Sequence, residues 1–244
     1  MPVPIAAVRG HWTVSSGVVT PWYLAGGIAA ANCIAAFKAK GAANYAGSKV
    51  NLASGGATWD AVDGVAYPTW ASATGWQFTA ASSQYLVVGS AGIADQPMTF
   101  VCRFNPVAVD TNYALMAVQN QVGDFTRYVM FANGTVAGDP VQANASGAGS
   151  GSAYSTSGFT ASNWFTACAV YINDASRGAF IDGANKGTDT TSAAVSSVTN
   201  TYIGARNSGS IGAFMNGYIS ACAFYNTNIS DAQAAALHTA MAAL

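Results

Sequence analysis

The chain has 244 residues, a length that allows one large β-sandwich or two small domains, and we expect a single domain. Its nine Lys and Arg residues are spread thinly and the formal net charge is −1, so no basic stripe could neutralise a phosphate backbone and nucleic acid is not expected as a partner. Because 51% of the residues are hydrophobic and only 8% are charged, the surface must rely on Ser, Thr, Asn and Gly, which suits either packing within a larger assembly or a neutral secreted domain.

Residues 1–31 are predicted to form an N-terminal arm that mediates contacts. Trp12, Trp22 and Tyr23 offer large aromatic contact area there, so they are the candidates for assembly contacts. The uncharged run at 18–37 is the most membrane-like segment, but its proline and its many small or polar residues oppose partitioning into lipid, and we expect no membrane insertion. No signal peptide is evident, because the N-terminus lacks a basic region followed by leucine-rich sequence.

Residues 32–244 are predicted to form one β-sandwich domain with a helical lead-in at 32–52. The lead-in contains a helix over 30–40, followed by a short helical turn over 45–52. Beyond it the chain changes to short apolar runs separated by Gly, Asn, Asp and Ser, the spacing typical of a sandwich. Strands are predicted at 75–78, 84–88, 98–104, 114–119, 127–131, 164–172, 178–181, 201–203 and 219–225.

The strand predicted at 98–104 is expected to be half buried. Successive side chains of a strand point to opposite faces, and the residues alternate accordingly. One face carries Met98, Phe100, Cys102 and Phe104, and the other carries Thr99, Val101 and Arg103.

The C-terminal helix is predicted at 230–243. Ser230 is followed by Gln233 at the spacing of a capping box, in which each side chain accepts a hydrogen bond from the backbone N–H of the other residue. The helix should pack by one apolar stripe, formed by Ala234, Leu237, Met241 and Leu244.

Several segments together resemble the laminin-G-like, concanavalin-A-type β-sandwich. In chain order they are Met-Thr-Phe-Val-Cys-Arg-Phe at 98–104, Asn-Trp-Phe-Thr-Ala-Cys-Ala-Val-Tyr at 163–171, Gly-Ala-Phe-Ile-Asp-Gly at 178–183, and the strands and capped helix at 201–244. The resemblance implies a mainly all-β fold. We expect a jelly roll of two antiparallel sheets, with a short N-terminal helical segment and a C-terminal helix.

The segments at 31–42, 45–52 and 75–78 also look like a lead-in of lectin-like proteins encoded by tailed phages. In the family that the chain resembles, such sandwiches bind glycans or proteins, decorate capsids or form tail parts, usually without catalysis. We therefore expect a non-enzymatic structural component of a multi-subunit assembly, such as a phage virion decoration, fibre or tail protein. It would act at a virion surface or outside cells, with copies of itself or other virion proteins as partners. The alternative is a stand-alone carbohydrate-binding module that recognises cell-surface or environmental glycans.

Catalytic residues are not predicted. Many sandwich glycosidases use two carboxylates, usually glutamates, as general acid and as nucleophile or base. This chain contains no glutamate, and its nearest aspartate pair, Asp60 and Asp63, matches a turn. His11 and His238 accompany no Gly-x-Ser-x-Gly nucleophile motif. The sequence therefore favours a binding or structural role.

Calcium is the one cofactor to consider, because loops of the family that the chain resembles often hold this ion. Calcium prefers Asp and Asn oxygens, so Asp174, Asp182 and Asp189 are the candidate ligands. Turn chemistry is the favoured alternative, since Asp182-Gly is a tight-turn signal and Asp174 can cap its own loop. On that alternative no cofactor is bound.

Aromatic residues supply the candidates for glycan contacts. Trp59, Trp70 and Tyr67 could stack on the apolar faces of sugar rings, although core packing competes for the same side chains. Trp76 and Trp164 are expected in the core. The glycine-rich segment at 147–151 is expected to be a loop.

Four cysteines stand far apart, at positions 33, 102, 168 and 222, with no Cys-x-x-Cys pair to suggest zinc. Buried thiols are favoured over disulfides in a chain without an export signal. A bridge between Cys168 and Cys222 remains open.

Overall fold

The protein is described by a computed structural model that covers residues 20–53, 59–88, 96–120, 126–195, 198–207 and 209–244. Two antiparallel sheets share one hydrophobic core between them, so the predicted jelly-roll sandwich with few helices is confirmed. The described strands are β1 Cys33–Lys38, β2 Ala61–Asp63, β3 Thr69–Ala71, β4 Gly75–Phe78, β5 Leu86–Val88, β6 Met98–Pro106, β7 Asn112–Gln119, β8 Arg127–Asn133, β9 Pro140–Gly147, β10 Gly149–Gly158, β11 Phe165–Asn173, β12 Ser176–Ile181, β13 Ala184–Asp189, β14 Asn200–Ile203, β15 Arg206–Asn207, β16 Ile211–Gly212 and β17 Gly217–Tyr225. The helices are α1 Tyr45–Ser48 and α2 Asp231–Ala242, and short 3-10 segments span Trp22–Gly27, Ala30–Asn32 and Ala80–Ser82.

The two sheets differ in what covers their outer faces. The eight-stranded sheet has the order β13-β12-β11-β6-β17-β4-β3, with β1 also paired to β17. The seven-stranded sheet has the order β10-β9-β8-β7-β14-β5-β2. Helix α2 and the 3-10 segment Trp22–Gly27 pack together against the outer face of the eight-stranded sheet, around a second apolar cluster.

The main core lies between the sheets. Trp76 on β4 is fully buried there, as predicted, and its Nε1 donates a hydrogen bond of 2.8 Å to Ser48 Oγ. The predicted alternation of β6 is confirmed, because Phe100 and Phe104 face this core while Val101 faces the cluster under α2. The expectation that β6 is half buried is wrong. Both of its faces are largely buried, since α2 and the 3-10 segment cover the outer one.

The helix predicted over 30–40 is wrong. Residues Cys33–Lys38 form β1, which pairs antiparallel with β17. Phe37 faces the main core and Ala36 faces the outer cluster, so the run is apolar on both sides. Periodicity alone does not distinguish a short buried strand from a helix in such a run. The short helical turn predicted over 45–52 is present as α1.

Helix α2 has the predicted capping box and apolar stripe. Ser230 Oγ accepts a hydrogen bond from Gln233 N at 3.3 Å, and Gln233 Oε1 accepts one from Ser230 N at 2.9 Å. The buried residues of the helix are Ala234, Leu237 and Met241, and Leu244 packs beside them. No helix in the described part of the chain is long and apolar enough to cross a membrane.

Two of the predicted assembly contacts lie within the chain's own packing. Trp22 and Tyr23 form a T-shaped pair with ring centroids 5.6 Å apart and pack on the cluster under α2. Tyr23 OH donates a hydrogen bond of 2.6 Å to Leu52 O. Trp12 lies outside the described residues. The division into an arm at 1–31 and a domain at 32–244 stays a prediction.

All four cysteines are free and buried. Cys168 on β11 belongs to the cluster under α2, whereas Cys222 on β17 faces the main core. Strand β6 also lies between their strands, so the two thiols are not placed to form the bridge left open above.

The prediction that Trp164 lies in the core is wrong. Because β11 begins at Phe165, Trp164 lies just before the strand, where it is only partly buried and its ring lies 6.4 Å from that of Tyr218.

Candidate functional site

Polar side chains form rows on the outer face of the seven-stranded sheet. Along β9, Ala143 and Ala145 point into the main core, so Gln142 and Asn144 point outward. Antiparallel pairing aligns outward side chains of β8, β9 and β10. The rows are Phe131–Gln142–Tyr154 and Val129–Asn144–Ser152.

Hydrogen bonds hold these polar side chains in fixed orientations. Gln142 Oε1 accepts from Asn133 Nδ2 at 2.7 Å, and Gln142 Nε2 donates to Ser152 Oγ at 2.8 Å. Asn144 Nδ2 donates to the same Ser152 Oγ at 3.1 Å. Because Ser152 Oγ accepts two hydrogen bonds, its own O–H remains to donate to a further partner. Tyr154 stands beside this network with its OH 3.4 Å from Gln142 Nε2, and the residue is 38% exposed.

A third row lies beside these two and is formed by Gln119 and Arg127. Arg127 on β8 pairs with Gln119 on β7, and Gln119 Oε1 accepts a hydrogen bond of 2.9 Å from Asn207 N. The Nε2 atom of Gln119 is buried and has no hydrogen-bond partner in the described part of the chain, an uncommon state for an amide. Burial and, secondarily, the positive charge of Arg206 lower the pKa of Arg127. Because Gln119 is fully buried, this row lies beneath the surface that a ligand could reach.

The remainder of this face, toward β5 and β14, is apolar. Tyr85 and Tyr202 lie with ring centroids 6.0 Å apart, and Phe214 lies 6.3 Å from Tyr85. Ile211 and Ala213, at the hairpin of β15 and β16, pack on the same cluster. Polar groups are therefore concentrated at the β8–β10 end of the sheet.

The sequence analysis missed this site because it missed two of its strands. The loop predicted at 147–151 is wrong, since β9 and β10 form a hairpin that turns at Ala148. Strict alternation of small apolar and polar residues over 141–146 was the signal that could have found β9. Its alanines have low strand propensity, which made that signal weak.

Asp189, a calcium candidate, forms an ion pair with Arg177, whose side chain is only 1% exposed. Arg177 Nη2 also donates to the backbone oxygens of Asp174 at 2.7 Å and Thr191 at 2.8 Å. Burial opposes ionisation of Asp189, but hydrogen bonds from Thr191 and the charge of Arg177 outweigh it and lower the pKa of Asp189. The carboxylate of Asp189 therefore links β13 to β12 at the edge of the sandwich.

Asp182 lies in the turn between β12 and β13 with a φ of 51°. Its Oδ1 accepts a hydrogen bond of 2.8 Å from Thr166 N and lies 3.5 Å from His238 Nδ1 and 3.9 Å from Arg103 Nη1. Within the described ranges, no three His, Cys, Asp or Glu residues form a group that could hold a metal ion. Calcium binding at Asp174, Asp182 or Asp189 stays a prediction.

The aromatic candidates for glycan contacts lie near α1, β2 and β3, at the edge of the sandwich opposite β10 and β13. Trp59 and Trp70 are partly buried against the main core, and Trp70 Nε1 donates a hydrogen bond of 2.8 Å to Ala39 O. Tyr67 is exposed, with its ring 6.1 Å from that of Tyr45. Tyr67 therefore lies beside Tyr45 on the surface, whereas Trp59 and Trp70 pack against the main core.

A small pocket of about 150 Å³ lies on the outer face of the eight-stranded sheet. Phe180 and Ile172 line it together with Lys186, which lies 2.8 Å from Asp231 Oδ1. Ligand pockets are usually larger, about 300 Å³ or more. The polar rows of the other sheet therefore remain the stronger candidate site.

Sequence comparison identifies the family. The profile described as the concanavalin A-like lectin/glucanases superfamily, Laminin_G_3, matches residues 79–235. That match covers more than half of the chain, so the chain belongs to this family, and the resemblance to laminin-G-like sandwiches is confirmed. No curated protein matches the chain.

Solved structures agree on the fold. Domain 4 of AbnA, a GH43 extracellular arabinanase from Geobacillus stearothermophilus, solved in complex with arabinotriose, has a TM-score of 0.61 at 7% identity and covers 85% of this chain and 98% of that one. The CBM40 of the Ruminococcus gnavus IT-sialidase, bound to α2,3 sialyllactose, has a TM-score of 0.51 at 15% identity over 59% of this chain and 84% of that one. The heptameric SAP-like pentraxin from Limulus polyphemus has a TM-score of 0.51 at 12% identity over 70% and 78%. These likenesses establish the fold, a two-sheet β-sandwich.

Proposed function

We propose that the chain is a non-catalytic carbohydrate-binding domain whose ligand lies on the outer face of β8, β9 and β10. The observation that carries the proposal is the network of Gln142, Asn144 and Ser152, in which two largely buried amides orient the partly exposed hydroxyl of Ser152. Sugar hydroxyls both donate and accept hydrogen bonds, so such a surface matches them. Two structural neighbours were solved with oligosaccharides, which supports this ligand class.

Binding would combine stacking with hydrogen bonds. The ring of Tyr154 offers an exposed apolar surface for one sugar face. Ser152 O–H donates to a sugar oxygen, because its oxygen already accepts hydrogen bonds from Gln142 and Asn144. The ligand would therefore lie on β10, beside Tyr154 and Ser152.

A non-catalytic role is supported by the acidic residues. The chain has no glutamate. The described aspartates include Asp63, which accepts hydrogen bonds from Tyr45 and Lys49, Asp182 with Thr166, and Asp189 with Arg177. These carboxylates are committed to turns and ion pairs, which leaves binding as the favoured activity, outside cells or on a particle surface.

A glycan array tests the proposal. The full chain should bind at least one oligosaccharide, and Gln142→Ala combined with Ser152→Ala should abolish the signal. Gln77→Ala is the matched control, since Gln77 is an exposed amide on β4 of the other sheet and should retain binding. Binding that survives the double substitution contradicts the proposed face, and an array without any bound glycan contradicts the ligand class.

A structural role in a multi-subunit assembly, such as a virion decoration, fibre or tail protein, is the second candidate. The low content of charged residues, 8%, favours it, because such a surface gives little repulsion between packed copies. Light scattering on the full chain and on a chain lacking only residues 1–19 tests the predicted arm, because Trp22, Tyr23 and Ile28 pack on the domain and their removal would destabilise it. If the full chain assembles and the truncated chain does not, an assembly role for the arm is supported. If both chains are monomers, that role is contradicted.

A further inference from the structure

The turn between β8 and β9 contains the chain's one Asp-Pro peptide bond, formed by Asp139 and Pro140. A residue that precedes proline normally has an extended conformation with a negative φ. Asp139 instead has a φ of 48°, in the left-handed region that is uncommon for a residue with a side chain. The backbone next to this peptide bond is therefore strained.

Neighbouring backbone holds the strained residue in place. Asp139 N donates a hydrogen bond of 3.0 Å to Val136 O, and Asp139 O accepts one of 2.9 Å from Phe159 N. Pro140 is buried and pairs with Gly158 of β10. A Cβ on Gly158 would overlap the backbone oxygens of the turn, so the two segments are in close contact. Strain of this kind persists only where the surrounding structure determines the conformation.

The groups needed to break the Asp-Pro bond lie around one carbonyl group. The carboxylate of Asp139 is part of the residue whose carbonyl carbon it would attack, so no second reactant has to be positioned. The hydrogen bond from Phe159 N polarises this carbonyl and stabilises negative charge on its oxygen. The nitrogen of Pro140 belongs to a tertiary amide, which takes up a proton more readily than an ordinary peptide nitrogen. Asp139 is also partly exposed, so water reaches the bond.

We propose that the folded chain cleaves itself between Asp139 and Pro140 in mild acid. An oxygen of the Asp139 carboxylate attacks the main-chain carbonyl carbon of the same residue. A proton from water adds to the nitrogen of Pro140, and the C–N bond breaks. Water then opens the cyclic anhydride left on Asp139 to two carboxyl groups. The net change is hydrolysis of one peptide bond, which needs no oxidant, reductant or cofactor.

The two pieces, residues 1–139 and 140–244, should stay associated after cleavage. In the seven-stranded sheet, β8 of the first piece pairs with β9 of the second. In the eight-stranded sheet, β6 of the first piece lies between β11 and β17 of the second. Each sheet therefore contains strands of both pieces, and the product is a sandwich of two chains. This activity does not depend on the proposed carbohydrate binding.

Intact-mass spectrometry of the full chain, kept at about pH 5 where folded proteins are usually stable, tests the proposal. The masses of the two pieces should appear with time, and the pieces should elute together from a sizing column. Because cleavage releases the strain, the folded chain should be cleaved about tenfold faster than the same chain unfolded in urea at that pH.

Two variants and one internal control identify the chemistry. Asp139→Asn should remain intact, because asparagine also accepts the left-handed conformation but lacks the carboxylate. Pro140→Ala should remain intact as well, since a secondary amide nitrogen is harder to protonate. The bond after Asp182 is the control within the same chain. Asp182 has a φ of 51°, but glycine follows it and Thr166 N donates to its carboxylate, so this bond should stay whole.

Any of three results overturns the proposal. They are a wild-type chain that stays intact, a folded chain that is cleaved no faster than the unfolded one, and an Asp139→Asn chain that is cleaved at the wild-type rate. Circular dichroism establishes that each variant is folded at the pH of the measurement.

Discussion

Arg177 and Asp189 form an ion pair at the edge where β12 and β13 of one sheet meet β10 of the other. The guanidinium is almost completely buried, and Gly151 on β10 provides the space that it occupies. Because Arg177 also donates to the backbone oxygens of Asp174 and Thr191, one side chain joins two loops to this edge.

Removal of one partner of this pair should destabilise the fold strongly. Asp189→Asn leaves the Arg177 guanidinium buried without its counter-charge, which costs about 3–5 kcal/mol of unfolding free energy. Urea denaturation measures the loss. Lys186→Gln is the comparison, because its pair with Asp231 is far more exposed and should cost less than about 1 kcal/mol. Equal effects of the two substitutions would show that the buried pair is not important for stability.

The ion pair of Arg177 and Asp189 should also make the stability of the fold depend on pH in the acidic range. The pKa of Asp189 is lower in the folded chain than the value of about 3.9 for an unfolded aspartate. A lowered pKa contributes stability that is complete above the unfolded value and is lost as the pH falls through the folded value. The melting temperature of the wild-type chain should therefore drop below about pH 4, and Asp189→Asn should show a smaller drop. An identical pH profile for the two chains argues against this assignment.

Close approach of the two sheets should make Gly187 intolerant of a side chain. A Cβ at Gly187 would overlap the backbone oxygen of Tyr154 on β10. Gly187→Ala should therefore cost about 1–3 kcal/mol by calorimetry. It should also weaken glycan binding by displacing the Tyr154 strand. Gly212→Ala is the control, since a Cβ there meets nothing within 4 Å, and a similar loss in both would contradict the steric explanation.

Substitutions of two tyrosines distinguish the proposed ligand face on β8, β9 and β10 from the aromatic edge near β2 and β3. Tyr154→Ala should weaken oligosaccharide binding by about 1 kcal/mol through loss of stacking. Tyr67→Ala should leave the affinity for a soluble oligosaccharide unchanged, since Tyr67 lies at the far end of the sheet. The reverse pattern would favour the aromatic edge that the sequence analysis proposed.

Elements with local signals were predictable from the sequence. Ser230 and Gln233 specify the start of α2 through their own hydrogen bonds, and the alternation of β6 is visible in its side chains. The segment Cys33–Lys38 was not predictable in this way. Its strand conformation depends on pairing with β17, nearly 200 residues away in the chain, and its apolar residues fit a helix equally well.

The candidate site depends on register, which the sequence does not display. Gln142 and Ser152 meet because β9 and β10 form a hairpin of alanine, glycine and serine, residues that also suit a loop. Gln119 and Arg127 become neighbours only through the pairing of β7 with β8. Aromatic residues were the visible signal, but Trp59 and Trp70 pack against the core.

Isothermal titration calorimetry with the strongest glycan from the array tests the central claim most directly. The wild-type chain and Gln77→Ala should bind with the same affinity, whereas Gln142→Ala combined with Ser152→Ala should lose two or more hydrogen bonds, about 1–3 kcal/mol in total. A double variant that binds as tightly as the wild-type chain would contradict the assignment of this face.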